Sequence, residues 1–234
     1  MIDKDILIEL IRIAPSLLVL LFFLLTLLFY HRPIGQLLDR IGSIKAFGVE
    51  AEFAAAREQL IGAAKSYQLT LNELGGEDKV KQVIERADRI RDMLRGVRVL
   101  WVDDQYLANA NIFRFLNAYG IIVDSARDTQ EALTTLRWAA AAYEVVVTDI
   151  VRGSDHQAGL TLIRLIREEG IQTPILVFVL QPDPTKPIPI GARAITNNPL
   201  VLIHHILDVV ESGGVAQDAA QNAAQNAAQE RKPA

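Results

Sequence analysis

Residues 98–104 read RVLWVDD and residues 145–149 read VVVTD, two apolar runs that each end on aspartate. The run Val97–Val102, interrupted only by Arg98, suits a strand buried on both faces, and so does Val145–Thr148. Helix-period segments alternate with such runs. Asn109–Tyr119 places Ile112, Phe115, Leu116 and Tyr119 on one face, and Gly120 ends it. Thr129 and Glu131 open a second helix reaching to about Ala142, Leu160–Glu169 forms a third, and Leu200–Val210 a last one. Ile121–Val123, Ile175–Leu180 and Ala194–Thr196 read as further strands. Strands joined by single helices predict an α/β domain with a five-stranded parallel sheet and helices on both sides.

In an open parallel sheet, ligands bind beyond the carboxyl ends of the strands. Asp103 and Asp104 follow the first strand and Asp149 follows the third. If those strands are neighbours, the carboxylates converge, and a hard dication such as Mg²⁺ relieves their repulsion. An aspartate beside that ion can attack a phosphoryl group, because the metal offsets charge on both partners. An aspartate after a strand also commonly caps the next helix. Three acids at two matching strand ends favour the shared site.

These segments resemble the receiver domain of bacterial response regulators over about residues 97–211. The resemblance rests on RVLWVDD (98–104), VVVTD (145–149), AGLTLIRLIR (158–167), TPILVFV (173–179) and GARAITNNP (191–199). It implies a flavodoxin-like, doubly wound parallel sheet. It also implies Asp103 and Asp104 as Mg²⁺ ligands, Asp149 as phosphoacceptor and ligand, and the Val151 carbonyl as the remaining ligand. Two positions depart from the family pattern. Val179 stands where the family has a Ser or Thr that meets the phosphoryl group, and Asn198, before Pro199, stands where it has a Lys. Valine donates no hydrogen bond and asparagine carries no charge. The loop IVRGSDHQAG (150–159) is longer than usual; Arg152 in it is a candidate anion contact, and Arg152 and Lys186 are the candidate substitute cations. Four prolines in QPDPTKPIPI (181–190) forbid the helix that the family places there. Retained acids with lost switch residues describe a pseudo-receiver.

Upstream, Ile13–Tyr30 is an eighteen-residue stretch without a charged side chain, bracketed by Arg12 and His31-Arg32. As a helix it spans roughly 27 Å, close to the hydrocarbon thickness of a bilayer. The residues before it carry no net positive charge and Phe29-Tyr30-His31-Arg32 is no cleavage site, so a retained single-pass anchor is expected rather than a signal peptide. Cations after the span are expected to put the C-terminal domain in the cytoplasm, and the resemblance to bacterial response regulators then implies a bacterial inner membrane. Alternation through Ile44, Ala46, Val49, Ala51 and Phe53 suggests a small hairpin, followed by a helix from Ala54 to about Leu71. A further helix over about Asp78–Arg95 carries Val80, Val83, Ala87, Ile90 and Leu94 at heptad spacing. That seam serves either a coiled coil or packing on the neighbouring domain. The expected organisation is anchor 1–32, connector 33–95, receiver-like domain 96–212, and an Ala/Gln-rich disordered tail 213–234.

The chain of 234 residues has no cysteine, which excludes disulfides, thiolate catalysis and cysteine-ligated metals, and its net charge of −4 gives no sign of a nucleic-acid footprint, so no nucleic-acid partner is expected. Expected partners are the lipid bilayer, a histidine kinase or other signalling protein, and further copies of the chain through residues 13–30 and 78–95. The leading expectation is a non-enzymatic, membrane-anchored signalling module that binds Mg²⁺ and accepts a phosphoryl group on Asp149. The alternative is a membrane effector of a multi-gene defence system, in which the pseudo-receiver senses a nucleotide or partner and drives oligomerisation of the anchor. An enzymatic reading, a nucleotide hydrolase, has only Glu144 or Glu168 to act and no Gly-rich phosphate loop.

Overall fold

The structure, a computed structural model, describes residues 18–22 and 48–213. The chain divides into two compact units, 1–52 and 53–234. In the first, residues 18–22 and 48–52 are helical. The expected hairpin is therefore corrected over its second half, where Val49 and Ala51 belong to a helix; its first half lies outside the described residues. Most of the apolar stretch 13–30 also lies outside them. Among the described residues no helix is long and apolar enough to cross a membrane.

In the second unit, five strands run β1 (Arg98–Val102), β2 (Ile122–Ala126), β3 (Val145–Thr148), β4 (Ile175–Phe178) and β5 (Ala194–Thr196). They form one parallel sheet in the order β2-β1-β3-β4-β5. Side chains alternate between its faces, as the two-residue period of a strand requires. Val99, Trp101, Val145, Val147, Leu176 and Phe178 feed one core, while Leu100, Val102, Val146, Ile175 and Val177 feed the other. The second core is closed by α5 (Thr129–Ala139) and α6 (Ala158–Glu168). Asp128 caps α5, its carboxylate accepting from the Glu131 amide at 2.8 Å.

The first core is larger. It is covered by α4 (Ala110–Ala118), by α7 (199–213), the last helix among the described residues, and by two helices from the connector. These are α1 (53–66), through Ala56, Leu60, Ala63 and Ala64, and α2 (Glu77–Arg89), through Val80, Val83, Ile84 and Ala87. The heptad seam is thus spent on the chain's own domain, and the alternative use of 78–95 for oligomerisation loses its apolar face. Complete burial of each Val or Ile contributes about 1.5–3 kcal/mol, whereas an exposed pair such as Lys81–Glu85 contributes little, so packing holds α2 in place. Arg86 adds direction, donating to Asp208 at 2.6 Å and Glu211 at 2.5 Å on α7. The expected single helix to Arg95 instead breaks at Ile90, and a short α3 (Arg91–Leu94) follows.

α1 stops in a left-handed turn. The Leu69 amide bonds the Ala64 carbonyl at 2.9 Å, the Gln68 amide bonds the Lys65 carbonyl at 3.1 Å, and Gln68 has φ 58°. That is the hydrogen-bond pattern of a helix end that normally carries glycine. Gln68→Gly is expected to stabilise the protein by about 0.5–1 kcal/mol in urea unfolding, because the Cβ cost disappears. A destabilised variant would show that the glutamine side chain holds the turn.

Residues 181–190 contain no helix. The prolines act as expected, and the segment crosses the edge of the sheet as irregular chain.

Candidate functional site

The register pairs Val102 with Thr148 on neighbouring parallel strands, so Asp103 and Asp149 emerge side by side at the carboxyl edge. Backbone bonds pin both: the Asp103 amide to the Ala126 carbonyl at 3.0 Å, and the Asp149 amide to the Val102 carbonyl at 3.3 Å. Asp103 is buried. Its carboxylate accepts from the Gln105 amide at 2.8 Å and from Asn109 Nδ2 at 2.9 Å. Asp149 accepts from the Ile150 amide at 2.6 Å.

Asp104 does not join them. It is exposed, and its carboxylate accepts from the Gly153 amide at 2.9 Å, which docks the long loop onto the end of β1. In place of the expected three-acid cluster, the structure holds a pair, and no group of three His, Asp or Glu side chains placed to hold a metal occurs among the described residues. Sequence spacing could not reveal this, since the Asp104–Gly153 bond depends on how the long loop folds back onto the end of β1.

Burial, and next the charge of Asp103, push the Asp149 carboxyl up to about 6; the Ile150 and Val151 amides and Arg152 pull the other way. The pair is thus only partly compensated. Its donor chemistry, hard carboxylate oxygens with unrelieved like charge, fits a Mg²⁺-class ion. A carboxyl raised from 3.8 to about 6 takes up a proton on folding between those values, so stability falls as pH rises through that window and stays lower above it. Asp149→Asn is expected to stabilise the protein at pH 7.5 by about 1–2 kcal/mol, a figure already reduced for solvent screening. The gain should vanish near pH 4 in urea unfolding. An unchanged or lower stability at pH 7.5 would refute the burial argument.

Arg152 lies in the long loop that follows Asp149. It is buried rather than solvated. Its Nη1 donates to Thr148 Oγ1 at 2.7 Å and its Nη2 to Thr129 Oγ1 at 2.8 Å. Asp149, Asp103, Asp104 and Asp128 all act on it electrostatically, while burial lowers its pKa. Reciprocal 3.0 Å backbone bonds between Arg152 and Asp155 close the loop into a tight turn. The guanidinium is an internal counter-charge tied to two hydroxyls, placed as a cation beside the acids rather than as a free anion contact. Thr148, next to Asp149, and Thr129 were the unread signals.

The two departing positions have structural occupations. Val179 is buried, and its amide bonds the Thr196 carbonyl at 3.0 Å. Asn198 caps α7: its Oδ1 accepts from the Leu200 amide at 2.9 Å, with Pro199 at the first helical position. Its Nδ2 reaches the Glu73 carbonyl in the connector at 3.4 Å. Beside Asp149, where the proline segment replaces a helix, lies a cavity of about 650 Å³. Val151, Leu160, Val179, Leu180 and Ile195 give it an apolar lining, with His156 and Lys186 also lining it.

Residues 99–188 match the family described as the response regulator receiver domain. This part of the chain is a receiver domain, a signalling module of the two-component type, for which a histidine kinase is the implied partner and which is typically non-catalytic. Several solved structures are similar. The chemotaxis response regulator CheY4 of Vibrio cholerae is 25% identical, over 48% of this chain and 98% of that one, with a TM-score of 0.42. The Francisella response regulator 1452 receiver domain is 23% identical, over 50% and 98%, at 0.44. TrrA of Thermotoga maritima, solved in complex with Mg²⁺ and BeF, is 20% identical, over 48% and 98%, at 0.42. A search of curated proteins gave no match.

Proposed function

We propose that this chain is a membrane-tethered signalling module in which a histidine kinase sets the charge state of Asp149 and protein–protein contacts carry the result onward. One observation supports this above others: Asp149 is a partly buried carboxyl held up to about 6 beside Asp103, at the strand edge and open to the 650 Å³ cavity. Such a group is costly to keep, and its retention suits a reacting or binding role.

Asp103 and Asp149 are the residues that would hold Mg²⁺. When bound, the ion would offset negative charge shared by the carboxylate and an incoming phosphoryl group. Within the chain, Asp149 supplies the nucleophilic oxygen, the cavity gives access, and Arg152 supplies fixed positive charge. Val179 offers no hydroxyl to a new phosphoryl group, and Asn198 is engaged at the cap of α7, so the response leaves by another route. The apolar stretch 13–30, followed by His31-Arg32, carries the tether.

The test is incubation of the full-length protein with acetyl phosphate and Mg²⁺, read by intact mass under native conditions. A phosphoryl adduct on the wild type and none on Asp149→Asn is the expected result. An unmodified wild type, or equal modification of both, overturns the acceptor role. Release of the chain from membranes by an alkaline wash overturns the tether.

A further inference from the structure

Tyr67 lies outside the receiver segment, on the turn that ends α1, yet it reaches the acid pocket. Its hydroxyl donates to Asn109 Oδ1 at 2.6 Å, and Asn109 Nδ2 donates to Asp103 Oδ2 at 2.9 Å. Asn109 is buried, so its amide is committed at both ends: oxygen toward the connector, nitrogen toward the acid. The Tyr67 ring also packs on Phe178 at 4.2 Å between centroids, and Phe178 packs on Trp101 at 5.8 Å. Phe178 directly precedes Val179, and Trp101 stands two positions before Asp103. The next turn of the connector, residues 71–75, is held where Asn198 reaches the Glu73 carbonyl. Burial and the charges of Asp103 and Asp149 raise the pKa of the tyrosine hydroxyl, which keeps it a donor.

We infer that Tyr67 is a positioning residue of the acid pocket, acting on Asp103 through Asn109, and that this relay couples the charge on Asp103 to the order of α1 and its turn. Three facts favour coupling over a passive contact. The chain of donors has one direction, from tyrosine through amide to carboxylate. Neutralising the carboxylate weakens the charge-assisted bond at its far end, and the buried amide has no solvent to replace it. Val179 offers no hydroxyl and Asn198 is engaged in capping α7, whereas the Tyr67–Asn109 contact gives the acid pocket a direct polar path into the connector. The inference deepens the proposed function by naming where the signal goes, and it rests on that reading only for the phosphoryl event that would drive it.

Hydrogen exchange of the full-length protein, followed over peptides within 60–76, tests the relay without any phosphorylation. Asp103→Asn is expected to speed exchange there about two- to tenfold, the change that loss of one hydrogen bond's net contribution gives. Asp104→Asn should leave it unchanged. Tyr67→Phe keeps the ring on Phe178 and removes only the hydroxyl; in that background Asp103→Asn should have no further effect on 60–76. Unaltered exchange over 60–76 in Asp103→Asn, or an equal response in the Tyr67→Phe background, overturns the relay. A parallel sample with Mg²⁺ and beryllofluoride, read over 149–159, addresses the acceptor role alone. Silence there with a positive relay result would count against the proposed function and leave the coupling standing.

Discussion

Gly159→Ala is expected to cost at least about 3 kcal/mol in urea or thermal unfolding, the upper range for forcing extra volume into a packed site. A Cβ at this position would stand 2.2 Å from the Asp149 carbonyl oxygen and 2.7 Å from Ile150 Cα. Both neighbours are backbone, so no side chain can swing aside. The Gly159 amide also bonds the Ile150 carbonyl at 2.9 Å, which draws the first turn of α6 against the chain leaving β3. Relief requires α6 to withdraw or the loop to shift, and either motion moves Asp149. Gly153→Ala is the control. Gly153 has φ 54° with open space around it, so its cost should be the left-handed backbone penalty, about 1 kcal/mol. Equal stability losses for the two variants would disprove the close approach.

Arg152→Met should cost about 3 kcal/mol, near the low end for breaking a buried charged network by removing one partner. The Thr148 and Thr129 hydroxyls lose their donor, and the Asp103–Asp149 pair loses its fixed cation. A second consequence has a definite sign. Arg152 is one of the groups drawing the Asp149 carboxyl down from where burial would put it, so its removal moves that carboxyl above about 6. The pH window over which stability falls should extend upward by the same shift, read from unfolding between pH 4 and 8. Arg152→Lys should restore little, because one ammonium cannot span both hydroxyls. A near-neutral Arg152→Met, with no change in pH profile, would mean that the guanidinium is solvated after all.

The sheet was legible because its central strands are apolar on both faces. β3 and β5 run over the residues expected, 145–148 and 194–196. β2 is longer than the apolar Ile121–Val123 suggests, because on an edge strand Asp124 is satisfied from β1 by Arg98 at 2.6 Å and needs no apolar neighbour. The alternation around Gly48 misled. Ala51 and Phe53 fit a helix as well as a strand, and the alanine-rich residues that follow decide for helix. At the site, the aspartates could be located but not their partners, so Asp104, which is spent on the Gly153 amide, was grouped with Asp103 and Asp149. Asn198-Pro199 carried a helix-capping signal in plain form. Tyr67 could not have been found: no periodicity links a tyrosine at a helix end to an asparagine 42 positions later.

Two helices from outside the matched segment, α1 and α2, share the burial of one sheet face with α4 and α7. A domain shuffled between genes as an exchangeable cassette must carry its own covering. This one borrows part of it, so recombination at residue 96 would expose Ile84's and Leu60's partners to water and yield an aggregation-prone chimaera. Connector and receiver therefore have to be inherited as one piece, and substitutions along 56–87 are expected to covary with those in 112–119 and 200–210.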